Sequence, residues 1–425
     1  MANVRVLVPK KLEHCYDVLV AGGGLAGVMA AIAAAREGKQ VLLIEKYGCL
    51  GGMATAGLVF PFMRDCEIGS GRQVNAGLYL SMLEELYAMG GSNAPHSKQY
   101  KDELLKILLD RMVTRAGVKV LFHSKLCEAE MTDGCITSVT VATVSGMLRL
   151  RAKVLIDATG NADLCAFAGL PFQLGREEDG LCQPMTLCFR FANVDMERFD
   201  RRQATAAYQE LRARGEIRNP RENVLSFRYS VDHVLHMNTT RANVKDPTDV
   251  EEVSGAEMLL REQMLEMYHF MREHVPGMEA CELISSAVEA GIRESRRIVG
   301  VSCLTTEDVT GVRKREDSIA RGAYGIDIHN PAGTGTFQQN LPPNEYYTVP
   351  YGALVPVRSH NVIVAGRSIS STHEALSAVR VMPITSCIGE AAGIAAAMAI
   401  DGDTGLAEVN VPRLREKITG YGGLV

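Results

Sequence analysis

The sequence predicts an α/β fold in which a parallel-sheet domain, discontinuous in sequence, carries an inserted α+β domain. Three observations lead there. An apolar strand, a glycine turn and an apolar helix follow one another from Asp17. The composition shifts toward mixed strands and long polar helices roughly between Leu170 and Pro350. From Asn361 the chain returns to the short apolar strand and small-residue helix with which it opened.

The 425 residues, 47% of them hydrophobic, are enough for two or three domains and a sizeable core. The 45 basic residues against 50 acidic ones give a net charge of -5 with no long Lys/Arg run, so nucleic acid is not expected as a partner. The 11 cysteines contain no C-x-x-C pair and their number is odd, which argues against a disulfide framework or a cysteine-only metal site and fits a reducing cytoplasm.

The residues through Cys15 lack an apolar stretch and a small-residue cleavage site, and read as a short extension rather than a secretory signal. Val18 to Ala35 is uncharged and just reaches membrane-spanning length, but Gly22, Gly23, Gly24 and Gly27 break it into strand, turn and helix. With no longer apolar run in view, a soluble protein without membrane contact is expected. The opening unit is a strand (Asp17 to Val20), a helix (Leu25 to Glu37) stopped by Gly38, and a second strand (Gln40 to Ile44) ending at Glu45.

A helix over Lys101 to Ala116 ends at Gly117 and leads into a strand (Lys119 to Phe122), turns at Asp133-Gly134 and Ser145-Gly146, and a strand at Val154 to Ile156. In the polar middle, Val250 to His274 is an amphipathic helix whose Met258, Leu259, Met264, Leu265, Met267 and Met271 read as core packing. It stops before Pro276-Gly277. Near the end, Asn361 to Ala365 is a strand, Gly366-Arg367 a turn, and Pro383 suits the first turn of a final helix. The expected division is 1–60, 100–170 and 351–425 for the first domain, and 61–99 with 171–350 for the inserted one.

Gly22-Gly23-Gly24-Leu25-Ala26-Gly27 has the G-x-G-x-x-G spacing in its required context, between a strand and a helix, with Glu45 ending the second strand 18 residues beyond Gly27. The first glycine permits the turn, the second lets a diphosphate approach the backbone, and the third lets the helix pack. The helix N-terminus offers free N–H groups to phosphate, and a carboxylate at Glu45 accepts from an unphosphorylated ribose. This Rossmann-like unit therefore expects FAD or NAD. Lys46 to Thr55 decides for FAD, because Gly51-Gly52 lets backbone lie along a longer ligand.

With these segments the chain resembles the FAD-dependent oxidoreductase family distantly related to fumarate reductase and succinate dehydrogenase flavoproteins and to the glutathione-reductase-type FAD fold. The resemblance runs on through Asp157-Ala158-Thr159-Gly160, Gly291 to Gly300, Asp327-Ile328-His329, Val349-Pro350-Tyr351, Ala365-Gly366-Arg367 and Arg380 to Gly393. It implies a glutathione-reductase-type FAD domain with an inserted substrate or cap domain. FAD contacts are implied at Gly22, Gly24, Leu25, Ala26, Gly27, Glu45, Lys46, Gly51, Gly52, Met53, Leu126, Thr159, Gly160, Gly366 and Arg367. The last helix would aim its N-terminus at the flavin pyrimidine edge, with Ile388 and Ala391 at the cofactor.

Catalytic candidates are His373, His329, Arg297, Arg293 and Arg380, with Arg296 and Arg358 as further arginines: arginine forks anchor carboxylates, and histidine near flavin N5 exchanges the accompanying proton. The implied activity is hydride transfer between a small polar organic substrate and flavin N5. An electron-transfer subunit serving another redox partner and an oxygen-using oxidase or monooxygenase stand as alternatives. Homo-oligomerisation stays open.

Two features depart from disulfide-reductase relatives. Cys49 and Cys66 are 17 residues apart, so no dithiol pair exists, and no second G-x-G-x-x-G would hold a pyridine nucleotide. Cys49 raises a covalent flavin link as a minor alternative to a buried small hydrophobe. His233-x-x-His236 beside Asp232, and His269 with His274, lack a third ligand, so no metal is expected.

Overall fold

The computed structural model of the protein describes residues 10–425. The part of the expected N-terminal extension before Lys10 lies outside the described residues. From Lys10 onward the extension reading is corrected: strand β1 spans Lys10–Ala21, because Lys10 and Lys11 pair with Leu148 and Arg149 of β6 (Gly146–Asp157) before an irregularity leads to Cys15 opposite Arg151.

A mixed sheet of seven strands organises the molecule. Its parallel part runs β3 (Lys119–Leu121), β2 (Val41–Ile44), β1, β6, then the strand Val362–Val364. Every residue from Val18 to Ala21 and from Val41 to Ile44 is buried, as expected of strands covered on both faces. On the N-terminal half of β6 the sheet continues antiparallel through β5 (Cys135–Thr143) and β4 (Lys125–Thr132). The β4–β5 turn falls at Asp133-Gly134, both with positive φ.

Helix α1 (Leu25–Arg36) and the helix Met382–Gly402 pack against each other beside the sheet. The approach is close: a Cβ at Gly389 would lie 2.1 Å from the Ala26 carbonyl oxygen, and one at Gly393 2.2 Å from that of Ala30. Met382–Gly402 is long and apolar enough to cross a membrane, against the expectation of no such stretch beyond Val18 to Ala35. Its most apolar 18-residue window is 83% buried, as in a core helix. Pro383 sits in its first turn, and a further helix, Val411–Gly420, follows it.

A second, antiparallel sheet has the order Glu282–Ser286, Phe189–Ala192, Leu235–Met237, Ser226–Arg228. The helices Arg201–Ala213 and Val250–His274 cover it around a core that includes Phe189, Phe191, Tyr208, Leu235, Met267 and Phe270. Asp200 and Asp249 cap these helices, each accepting from two backbone N–H groups of the first turn. The methionine stripe is corrected in part. Met267 and Met271 are buried, but Met258, Leu259 and Leu265 are exposed, because the face turned to the sheet runs through Ala256, Leu260, Gln263, Met267 and Phe270.

The helix Leu78–Ala88 and the strand pair Ser318–Gly322 with Tyr347–Pro350 fall, by composition, in the inserted region. Both pack into the main core, through Leu78, Tyr79, Met82, Ile319, Tyr347 and Val349. Arg190 ties the second sheet to the start of the helix Asp102–Arg115: it pairs with buried Asp102 at 2.8 Å and lies 3.9 Å over the Tyr229 ring.

Candidate flavin and substrate site

The glycine turn between β1 and α1 does three different jobs. Gly22 has φ +102, and a Cβ there would lie 2.4 Å from the Ala158 carbonyl oxygen; a Cβ at Gly27 would lie 1.9 Å from that of Gly22. At Gly24, the N-cap of α1, a Cβ would meet nothing within 4 Å, and no side chain caps the helix. Bare backbone at a helix N-terminus beside open space is a seat for phosphate. Leu25 and Ala26 begin the helix behind it and are almost wholly buried.

The Glu45 carboxylate faces this turn. Gly23 N–H donates to Oε2 at 2.6 Å and Tyr47 N–H donates to Oε1 at 2.8 Å. Burial pushes its pKa up while the two N–H groups pull it down. The remaining lone pairs can accept from ribose hydroxyls. Gly51 N–H donates to the Gly23 carbonyl at 2.8 Å, and a Cβ on Gly52 would stand 2.9 Å from Gly24 Cα, so the second glycine pair closes onto the first. Lys46 is exposed and pairs with Glu289 at 2.5 Å. Leu126 is buried at the start of β4, opposite Val141.

Farther along, Thr159 Oγ donates to Asp157 at 2.7 Å and accepts from Asp163 N–H, while Gly160, at φ +81, faces the Arg367 guanidinium. Gly366, at φ +108, turns the chain so that Arg367 donates to Asn161 Oδ1 at 2.6 Å. Arg367 Nε is buried without a partner, and burial pushes the guanidinium down to about 10. An open cradle at Gly24, a carboxylate at the ribose position and an unpartnered buried N–H at the far end together fit an adenine dinucleotide.

Beyond Met53 and Arg367 the groove leads to a cavity of about 720 Å³ whose lining also includes Arg221, Glu222, Arg293, Tyr324, Asp327, His329 and Arg380. His329 Nδ1 faces Arg221 Nη1 at 3.0 Å and Arg241 Nη2 at 3.3 Å. Both guanidiniums can only donate, so Nδ1 accepts and the ring proton belongs on Nε2. Burial and the charges of Arg293, Arg380, Arg221 and Arg241 hold its pKa well below the ordinary histidine value, so the ring is neutral.

Arg293 donates to the Pro184 carbonyl at 2.7 Å and to Thr186 Oγ at 2.6 Å, and burial with neighbouring arginines pushes it down to about 9. Arg380 donates to the Asp327 carbonyl at 3.1 Å. Tyr324 O–H donates to Asp327 Oδ2 at 2.9 Å, and Gln338 Nε2 donates to Oδ1 at 3.0 Å.

A family model described as FAD dependent oxidoreductase matches residues 17–418. The chain belongs to that family. Among curated relatives, a cinnamate reductase of Clostridium sporogenes is 50% identical over 56 residues, 13% of this chain and 8% of that protein. A digeranylgeranylglycerophospholipid reductase of Methanopyrus kandleri is 27% identical over 189 residues, 39% of this chain and 45% of that one. The chain spans less than half the length of either. Among solved structures, a geranylgeranyl bacteriochlorophyll reductase-like protein of Thermoplasma acidophilum aligns with 97% of this chain and 83% of its own at 15% identity and a TM-score of 0.48.

The cavity gathers three of the expected catalytic side chains, Arg293, His329 and Arg380, and not the other two. His373 and Arg297 lie in a separate buried network. His373 Nδ1 contacts Glu294 at 2.8 Å, and Arg297 ion-pairs with the same Glu294 while donating to the Ser371 and Gly175 carbonyls. Their hydrogen-bonding capacity goes to holding chain segments together, and neither lines the cavity. Arg296 pairs with Asp163 at 3.0 Å.

Ile388 and Ala391 do not line the cavity either. Both are fully buried more than a turn inside Met382–Gly402, and it is Val381 and Met382, at that helix's start, that reach the cavity. Cys49 is not in the cavity lining, and burial raises its thiol pKa. Buried His236 stands 5.3 Å from the Phe60 ring, and burial pushes it down to about 3.

Sequence reasoning missed Arg221, Arg241, Glu222 and Tyr324. They occupy loops with no periodicity or spacing to mark them, and Arg221, Glu222 and Arg241 reach His329 only through the chain's return from distant segments.

Proposed function

We propose that this flavoenzyme transfers hydride between a small polar organic substrate and flavin N5 in the arginine-lined cavity. One observation carries the reading: Met53 and Arg367 flank the glycine groove and also line the cavity, so groove and cavity are continuous. FAD, when bound, supplies a two-electron donor and acceptor. Gly22, Gly24, Glu45, Gly51, Gly52, Gly160 and Arg367 would hold it.

Arg293 and Arg380 bind and orient the substrate. Neutral His329 offers its Nε2–H to a substrate oxygen, since its Nδ1 is taken by two donors. Proton exchange falls to Tyr324 and Asp327: a proton leaving substrate enters the Tyr324 oxygen as the Tyr324 proton moves to Asp327, and the reverse accompanies reduction. The parallel strands, with the antiparallel β4–β6 extension preceding the last of them, support a glutathione-reductase-type FAD domain. The sheet of Phe189–Ala192 supports a cap over the cavity, since Arg221, Leu225, Phe227 and Asn238 beside its strands line it.

The test is anaerobic mixing of FAD-loaded protein with hydroxy acids, amines and sugars, and of photoreduced protein with enoates, followed at the flavin absorbance band. Bleaching or reoxidation by a member of these panels is expected. Reoxidation by oxygen alone, with peroxide released in step with turnover, would move the assignment to an oxidase.

A further inference from the structure

The charges around His329 do not balance. Four guanidiniums, from Arg221, Arg241, Arg293 and Arg380, act on its ring, and the carboxylates beside them are Glu222 and Asp327. Both carboxylates are engaged. Glu222 lies 3.2 Å from Arg241 and 3.7 Å from Arg221 and accepts from Gly335 N–H; Asp327 accepts from Tyr324 and Gln338. Arg293 and Arg380 are left with carbonyl and hydroxyl acceptors alone, and among the described residues neither forms an ion pair. Arg380 Nη1 is buried with no partner at all. Burial and the Arg380 charge lower the hold of Arg293 on its proton, with Asp327 acting in the opposite sense, and a guanidinium buried without an ion-pair partner is destabilising.

We infer that the cavity takes a small organic monocarboxylate with an apolar body, its carboxylate bridging Arg293 and Arg380. The guanidinium fork matches a carboxylate in bidentate fashion. The body follows from the rest of the lining, where Met53, Val59, Met63, Leu225, Phe227 and Met382 offer apolar surface. The other two lining arginines are already placed, Arg221 against His329 and Glu222 and Arg367 donating to Asn161 at the groove, so Arg293 and Arg380 are the pair left for the carboxylate. This rests on the reading of the cavity as the substrate side of the flavin site.

The test uses FAD-loaded protein with benzoate, benzamide, fumarate and inorganic phosphate as probes, followed by perturbation of the flavin spectrum and by thermal shift. Benzoate should bind at least tenfold more tightly than the other three. Arg293→Met and Arg380→Met should each weaken benzoate at least tenfold and move benzamide affinity and FAD content less than twofold. Should either fail to fold, Arg293→Lys and Arg380→Lys keep the charge without the fork, and at least one must weaken benzoate. Equal affinity for benzoate and benzamide, no benzoate binding at about 20 mM, tighter binding of fumarate or phosphate, or unchanged benzoate affinity in the variants would each overturn the inference. Those results leave the hydride-transfer reading standing. A chain that takes up no FAD would overturn both, and that is determined before any probe is added.

Discussion

Gly24→Ala separates a cofactor cradle from a merely structural glycine turn. Gly24 has φ -63 and ψ 173, which alanine adopts freely, and its Cβ would meet no atom within 4 Å. In the apoprotein the substitution should therefore be neutral or stabilising by about 0.4–1 kcal/mol through the unfolded chain. In the FAD complex the same methyl enters the space where a diphosphate approaches the N-terminus of α1. A tenfold or greater rise in the FAD dissociation constant is expected, about 1.4 kcal/mol or more.

Gly27→Ala is the control. Its Cβ would lie 1.9 Å from the Gly22 carbonyl oxygen and 3.1 Å from Ala158 Cβ, with no flexible side chain to yield, so it should destabilise by about 1–3 kcal/mol or more. Thermal unfolding of the apoproteins and fluorescence titration with FAD read both quantities. A Gly24→Ala protein that binds FAD within twofold of the parent would refute the reasoning, because the open space at Gly24 would then not be where phosphate sits.

Glu390, on the helix Met382–Gly402, accepts from Leu78 N–H at 3.0 Å, and burial pushes it up to about 7 from 4.5. The folded state thus holds this proton more tightly than the unfolded state, so stability falls as pH rises from about 4.5 to 7, by an amount of order 3 kcal/mol. Glu390→Gln should flatten that fall and exceed the parent in urea stability at alkaline pH; an unchanged pH profile would count against it. For His329, 15N NMR of histidine-labelled protein, assigned with His329→Asn, should show a neutral Nε2–H ring from the neutral range down to about pH 5. An imidazolium signal at pH 6 would contradict the tautomer argued from its two arginine donors. Tyr324→Phe should retain FAD and lower substrate-driven flavin reduction about 10²-fold or more, with unchanged rates removing Tyr324 from the proton path.

The unit from Asp17 to Glu45 was legible in the sequence because everything that makes it is local. Glycines at fixed spacing, a strand before them, a helix after them and a carboxylate ending the next strand can satisfy their requirements within about thirty residues. The parallel core strands were legible for a related reason: burial on both faces demands continuous apolar runs such as Val18-Leu19-Val20 and Val41 to Ile44. Family resemblance then named the segments it implies for the cofactor. It could not say which side chains in those segments were free.

That choice was made by tertiary structure alone. Whether an arginine is a ligand anchor or a girder depends on what stands opposite it. Arg297 and His373 meet Glu294 and are consumed, whereas Arg293 and Arg380 meet no carboxylate and remain open to the cavity. Helical periodicity likewise leaves the buried face undecided: Met258 and Leu265 point outward while Gln263 points inward, and Ile388 and Ala391 serve the core where only the first residues of their helix reach the cavity. Arg221 and Arg241 carried no signal, because their only relation to His329 is spatial. The sequence determined the glycine cradle proposed for FAD, a matter of backbone shape and local spacing. The surroundings of the reacting end were decided by side chains brought together from across the chain, whose charge and hydrogen-bond partners exist only once it has folded.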